Sequence, residues 1–149
     1  MEALKGRLLS KPLHAQFLPS PDLDLGWVAS VHDGDTMTVH CEIRGILENM
    51  NIRVRGIDAP ELKGESKTVA AAVRDVVKKM CHMQYVKILN CGADKYGRLL
   101  GDVILESGET LSAFLLRHQL VKEYNGRTKD PFTADELQLV YDRAMALLQ

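Results

Sequence analysis

The order of the short periodic segments constrains this chain most. Residues 36–43 alternate strictly between apolar and polar side chains, which is the period of two that a half-buried strand requires. The same kind of pattern predicts strands over 27–32, 51–57, 85–89 and 99–105, helices over 66–80 and 110–119, and a last helix that begins at a capping box, Thr133–Glu136. Five short antiparallel strands with an inserted helix fit a Greek-key barrel. We therefore expect an α+β fold, a five-stranded OB-type β-barrel with three helices.

The length of 149 residues fits one domain. We expect an N-terminal arm over residues 1–24, with one short helix or partial disorder, and a single domain over 25–149. Within the arm, Lys11 and Pro12 interrupt the apolar stretch that a secretory signal needs, and an organelle-targeting segment stays open. No apolar run approaches the ~20 residues of a membrane helix, so no membrane partner is expected.

The cysteines indicate a reducing environment. Cys41, Cys81 and Cys91 are an odd number without a paired short spacing. Adjacent residues on a strand point to opposite faces, so His40 beside Cys41 is a poor zinc-chelating pair. We expect free thiols in an intracellular reducing compartment rather than a secreted protein, with organelle import left open.

The formal net charge of −1 limits how this chain can hold nucleic acid. Proteins that bind nucleic acid by general electrostatic attraction usually carry a basic excess. Any contact with a polyanion must therefore be concentrated in a local site.

Residues 52–61, IRVRGIDAPE, begin as a strand with its arginines on one face and its apolar side chains on the other. After Gly56 the pattern inverts, because Ile57 falls on the arginine face and Asp58 on the apolar one. A β-bulge at Gly56 would return Ile57 to the core and aim Asp58 at the arginine face. The alternative is a simple turn at the end of the strand, for which Asp-Ala-Pro is ordinary sequence.

Two further polar stretches are weak signals when each is taken alone. DGDT, residues 33–36, is most simply a polar turn with Asp35 at its solvated end, although Asp35 shares the parity of the apolar side chains that follow. DKYGR, residues 94–98, is most simply a hairpin turn. The charged loop around Tyr124 is either an ordinary loop or a wall against which a base stacks.

Taken together, these side chains form a coherent inventory. Asp35 and Asp58 supply the hard oxygen ligands that calcium or magnesium selects. Arg53 and Arg98 supply planar forks that match phosphate oxygens. Glu61 can accept a proton from water. The inventory suits hydrolysis of a phosphodiester.

Three blocks in this order, VHDGDT (31–36), IRVRGIDAPE (52–61) and DKYGR (94–98), are similar to the staphylococcal nuclease family. The resemblance runs from about Trp27 to about Tyr124. It implies an OB-type barrel with three helices, which agrees with the periodicity.

The resemblance also implies roles for particular residues. It implies that Ca²⁺ is held by the carboxylates of Asp35 and Asp58 and by the backbone carbonyl of Ala59, with Mg²⁺ and Mn²⁺ as alternatives. Asp33 would lie behind these ligands as a second acid near the metal. Glu61 resembles the proposed general base.

For the substrate, the resemblance implies that Arg53 and Arg98 clamp the scissile phosphate. Lys95 and Tyr96 would approach a terminal or neighbouring phosphate, and Tyr124 a base.

The function expected from these residues is a calcium-dependent nuclease, active on DNA, RNA or both. It would prefer single-stranded or frayed substrate and leave 3′-phosphates, and it is taken to be a monomer. The alternative is a non-catalytic OB-fold module of the Tudor-nuclease type that binds nucleic acid or protein. A domain merely stabilised by calcium is a third alternative. The complete set of acids and arginines favours the enzyme.

Overall fold

A computed structural model describes residues 23–149 of the chain. The N-terminal arm expected over residues 1–24 lies outside the described residues up to position 22. The first strand begins at Leu23, within the range expected for the arm. The strands are β1 (Leu23–Asp33), β2 (Thr36–Ile43), β3 (Ile46–Val54), β4 (Ile57–Asp58), β5 (Tyr85–Ala93), β6 (Leu99–Ile104) and β7 (Lys122–Glu123). The helices are α1 (Lys67–Cys81), α2 (Leu111–Arg117) and α3 (Ala134–Leu148), with one 3₁₀ turn at Gly64–Ser66.

Five of these strands close a barrel in the order β1-β2-β3-β6-β5, and β4 pairs with β7 as a separate small sheet. Neighbouring barrel strands are antiparallel except β3 and β6, which run parallel with Ile52 opposite Leu99 and Val54 opposite Gly101. The apolar residues of the core include Val28, Val39, Ile52, Val54, Ile88 and Val103, all fully buried. The expected five-stranded OB-type barrel with three helices is confirmed.

The connection between β2 and β3 is shorter than the sequence predicts. The expectation that the next strand begins at residue 51 is wrong, because the turn consists of Arg44 and Gly45 and β3 begins at Ile46. Both turn residues have positive φ, 53° and 79°, the geometry of a two-residue hairpin turn that follows the strand twist. The start of β3 is hard to recognise in the sequence because Leu47 points to solvent and Glu48 is buried.

The chain changes direction after β3 by a turn rather than by a β-bulge. Arg55 and Gly56 form the turn, in which Gly56 has a φ of +85°. The backbone then enters β4, where Ile57 pairs with Glu123 and Asp58 with Lys122 of β7. Ile57 is fully buried, as expected from its return to the core.

The helices pack against the barrel and each other. The apolar face of α1 is buried, and α1 contacts both β1 and α3. The predicted capping box at the start of α3 is confirmed: the amide of Glu136 donates to Thr133 Oγ1 and the amide of Thr133 donates to Glu136 Oε1. None of the helices in residues 23–149 is long and apolar enough to cross a membrane.

Cys41 and Cys81 are buried free thiols, as expected. Burial raises the pKa of Cys41 to about 11, helped by the nearby Glu48 and Cys91, and burial raises the pKa of Cys81 to about 12. Both therefore stay protonated near neutral pH. His40 is exposed while Cys41 is buried, which separates that pair as the strand geometry predicts.

A substitution of Gly34, in the turn between β1 and β2, tests how α1 packs against the barrel. A Cβ atom there would lie 2.7 Å from Val73 Cγ1 on α1 and 2.8 Å from the Cβ of Ala59. We expect Gly34→Ala to lower the free energy of unfolding by about 1–3 kcal/mol, because the added methyl overpacks this contact. Urea denaturation in the presence of a chelator measures the change.

Val73→Ala provides the matched background, since it removes the nearer clashing methyl. Gly34→Ala should cost less stability in the Val73→Ala protein than in the wild type. An equal cost in both backgrounds would mean that the contact with α1 is not the cause.

Candidate active site

Arg53, at the end of β3, lies between the two aspartates singled out in the sequence. Its guanidinium is buried, with Nη1 donating to the carbonyl of Val54 at 2.8 Å. Its Nη2 lies 3.4 Å from Asp35 Oδ2 and 3.9 Å from Asp58 Oδ1. One nitrogen thus faces both carboxylates, and the structure brings together the acids that the sequence predicts to meet.

Asp35 is held by hydrogen bonds from several elements. Oδ2 accepts from the amide of Ala59 at 2.8 Å, and Oδ1 accepts from the hydroxyl of Thr36 at 3.0 Å. Its carbonyl accepts from the amide of Val54 at 2.8 Å. Asp35 is 7% exposed, so the interpretation of DGDT as a turn with a solvated aspartate is wrong.

Asp58, on β4, is equally buried but less well satisfied. Oδ1 is buried and has no hydrogen-bond partner, although Lys129 Nζ lies 3.3 Å away. Burial raises the pKa of Asp58; Lys129 and Arg53 lower it in part, while the charge of Asp35 adds to the rise. Asp58 is therefore a buried carboxylate with two cations nearby but no hydrogen bond to Oδ1.

Asp33 lies beside Asp35, and its implied role as a second acid near a metal stays a prediction. Its Oδ1 accepts from the amide of Asp35 at 3.0 Å. Burial, followed by the charge of Asp35, raises the pKa of Asp33 to about 6. Asp33 therefore holds its proton more tightly than an exposed aspartate would.

Glu61 stands at the rim of the same cleft, which Asp33, Asp35, Arg53, Asp58 and Arg98 also line. Its side chain is half-exposed, with Oε2 3.1 Å from Lys63 Nζ and Oε1 3.7 Å from Lys129 Nζ. We call this space the acidic cleft. Glu61 is accessible to solvent there, as a group that exchanges a proton with water must be.

Arg98 reaches the acidic cleft from the turn between β5 and β6. Its Nε donates to Asp94 Oδ2 at 2.7 Å, while Asp94 Oδ1 accepts from the amides of Tyr96 and Arg98. Burial raises the pKa of Asp94, but these hydrogen bonds outweigh it and hold the pKa below its usual value. Asp94 therefore fixes Arg98 in place. This role of Asp94 is not among the predicted ones, although the spacing of acid and base in DKYGR indicates it.

A second cleft adjoins the first, and we call it the tyrosine cleft. It is lined by all three residues expected to bind substrate: Lys95, Tyr96 and Tyr124. Arg53 lies 5.8 Å from the centre of the Tyr124 ring and Arg98 lies 5.4 Å from that of Tyr96. The two arginines line both clefts and so connect them.

Arg55 does not share the environment of Arg53. Its Nη2 donates to the carbonyl of Asn90 on β5, and it lines only the tyrosine cleft of the two. The expectation that both arginines share one face with Asp58 is wrong, because Arg53 is buried and Arg55 belongs to the turn.

The donors of the acidic cleft fit a hard divalent cation. Two buried carboxylates face one another across Arg53, and Asp58 Oδ1 has no hydrogen-bond partner. Among residues 23–149 there is no group of three or more His, Cys, Asp or Glu side chains placed to hold a metal. A site with two carboxylates suits an ion that keeps water or substrate phosphate as its other ligands. The backbone amide of Ala59 already binds Asp35, and coordination by its carbonyl stays a prediction.

Comparison with known proteins places this geometry in a wider context. A family model described as staphylococcal nuclease homologue matches residues 51–146, well over half of the chain. Two curated relatives, both named uncharacterized endonuclease, come from Escherichia coli and Escherichia coli O157:H7. Each is 30% identical over 106 residues, which is 71% of this chain and 65% of the relative. The chain thus spans just under two-thirds of the length of these relatives.

The raised pKa of Asp33 predicts a pH dependence of stability in metal-free protein. The folded state binds the proton of Asp33 more tightly than the unfolded state, whose pKa is near 3.8. Stability contributed by protonated Asp33 is therefore lost as the pH rises from about 4 to about 6. Asp33→Asn keeps an acceptor for the Asp35 amide but cannot ionise, so its stability relative to wild type should increase over this range by on the order of 1–2 kcal/mol.

Urea denaturation across this pH range with a chelator measures the difference. Asp142→Asn, at an exposed position on α3, is the matched control and should follow the wild type. If Asp33→Asn and wild type keep a constant stability difference, Asp33 does not titrate as described.

Proposed function

Because the chain belongs to the family of staphylococcal nuclease homologues, we propose that it is a nuclease that hydrolyses phosphodiester bonds of DNA, RNA or both. The observation that carries the proposal is the placement of two buried aspartates on one guanidinium nitrogen, with Arg98 lining the same cleft. The name endonuclease, carried by the relatives, is consistent with it.

We propose that the acidic cleft holds a divalent ion, with Ca²⁺ as the first candidate and Mg²⁺ or Mn²⁺ as alternatives. Asp35, Asp58 and the carbonyl of Ala59 would hold it. When bound, such an ion polarises a phosphate oxygen and neutralises part of its charge. The burial of Asp58 Oδ1 without a hydrogen-bond partner supports this assignment.

The roles proposed for the protein's own residues follow from their positions. Glu61 takes a proton from the attacking water, because its carboxylate is the exposed acid at the rim of the cleft. Arg53 and Arg98 stabilise the negative charge that develops on the phosphate oxygens. Asp94 engages Arg98 through Nε, and no other residue described here bonds to the Nη groups, which remain for the phosphate.

The tyrosine cleft supports a preference for unpaired nucleic acid. Tyr96 is 72% exposed, and together with Tyr124 it offers an aromatic face beside the two arginines. A base reaches such a surface only when it is not paired in a duplex. We propose that Tyr124 stacks a base, that Lys95 and Tyr96 approach a neighbouring phosphate, and that cleavage of the 5′ P–O bond leaves 3′-phosphates.

A non-catalytic module that binds nucleic acid or protein is the second candidate. Such a module would need the basic and aromatic surface of the tyrosine cleft but not a pair of buried carboxylates. Burying two carboxylates costs several kcal/mol unless a cation compensates. The presence of buried Asp35 and Asp58 in the cleft that both arginines line therefore favours the enzyme.

The direct test is incubation with end-labelled single- and double-stranded DNA and RNA, with Ca²⁺, Mg²⁺, Mn²⁺ or a chelator. We expect cutting in at least one divalent ion, faster on single strands, and none with chelator. Mapping of the product ends then distinguishes 3′-phosphates from 3′-hydroxyls. If no substrate is cut in any ion, the binding module replaces the nuclease.

Glu61→Gln tests the proposed base. We expect the turnover number to fall about 10²- to 10⁴-fold, because the amide cannot accept the proton, while Ca²⁺ affinity stays within about twofold. Glu65→Gln, an exposed glutamate on the neighbouring 3₁₀ turn, is the matched control and should keep normal turnover. Unchanged turnover in Glu61→Gln would remove Glu61 as the base.

A further inference from the structure

Lys129 extends from the connection between β7 and α3 into the acidic cleft, a position that its sequence context does not indicate. Its Nζ lies 3.3 Å from Asp58 Oδ1 and 3.7 Å from Glu61 Oε1. Its side chain also lines the cleft beside Asp35 and Arg53. An ammonium group thus stands next to a buried carboxylate oxygen that has no hydrogen-bond partner.

The fold fixes the chain immediately after Lys129. Lys122 of β7, the strand partner of Asp58, donates from Nζ to Asp130 Oδ2, the carbonyl of Pro131 and Glu136 Oε1, each at 3.0 Å. The strand pair that carries Asp58 therefore also anchors the segment that returns Lys129 to it. The contact between Lys129 and Asp58 therefore depends on the backbone path of this segment and not only on the conformation of the Lys129 side chain.

Arg53 and Lys129, the two cations near Asp58 Oδ1, differ in their freedom to move. Arg53 is buried, bonds to the Val54 carbonyl and lies 3.9 Å from this oxygen. Lys129 is closer, and its side chain is 48% exposed. A divalent ion coordinates a carboxylate oxygen at about 2.0–2.6 Å, so it would compete with the ammonium for the same lone pairs. Lys129 is the cation that can withdraw.

We propose that Lys129 neutralises Asp58 in the metal-free protein and must be displaced when a divalent ion binds, so that Lys129 sets the metal affinity of the site. The proposal rests on the proposed function, because it assumes that Asp58 is a metal ligand. The displaced ammonium keeps Glu61 as a neighbouring carboxylate. Lys129 thereby loses its contact with Asp58, keeps its contact with Glu61 and remains in the cleft.

Calorimetric titration of the metal-free full chain with CaCl₂, near neutral pH and at low salt, tests the proposal. Lys129→Met keeps much of the side-chain length and removes the charge, and we expect it to bind Ca²⁺ about three- to tenfold more tightly than wild type. Lys129→Gln should shift in the same direction, and Lys129→Arg should return towards the wild-type affinity. Circular dichroism confirms that each variant is folded.

Lys63→Met is the matched control, because Lys63 pairs with Glu61 Oε2 at 3.1 Å but makes no ion pair with Asp58. It removes the same charge and should leave Ca²⁺ affinity within about twofold of wild type. Unchanged or weaker binding in folded Lys129→Met and Lys129→Gln overturns the proposal, and so does an equal gain in Lys63→Met. If wild type and every variant bind no divalent ion, the proposed metal site itself fails.

Discussion

The site depends on one buried guanidinium held between two buried carboxylates. Arg53, Asp35 and Asp58 have all lost most of their hydration, and each is tolerated because the others are present. The hydrogen bonds that orient them come from the backbone of the fold: Val54 accepts from Arg53, and Ala59 donates to Asp35. The same backbone segments therefore both build the fold and orient the side chains of the site.

The sequence predicts the fold well where one face of a strand is uniformly apolar. β2 has the bounds expected from its alternation, Thr36–Ile43, because its inward positions are all apolar. β3 does not, since Leu47 faces solvent and Glu48 is buried at its start. The inversion at Gly56 correctly indicates a change of direction. Whether that change is a bulge or a turn depends on pairing with β7, a two-residue strand without any periodic pattern.

The same distinction applies to the site. The convergence of Asp35, Asp58 and Arg53 is implied by the resemblance of the three sequence blocks to the family, whereas the DGDT stretch taken alone favours a solvated Asp35. The position of Lys129 is not predictable from the sequence, because it depends on how the connection between β7 and α3 folds back. Hydrogen bonds from Lys122 hold that connection in place. The prediction that Arg55 shares a face with Arg53 and Asp58 is wrong, because the alternation of a strand does not apply to a residue in a turn.

The parallel pairing of β3 and β6 has a consequence for when the site forms. It joins residues 52–54 to residues 99–101, and Arg98 directly precedes β6. Until these distant segments meet, Arg53 and Arg98 do not line a common cleft. A nascent chain leaving the ribosome would thus lack the assembled cleft until both segments had emerged.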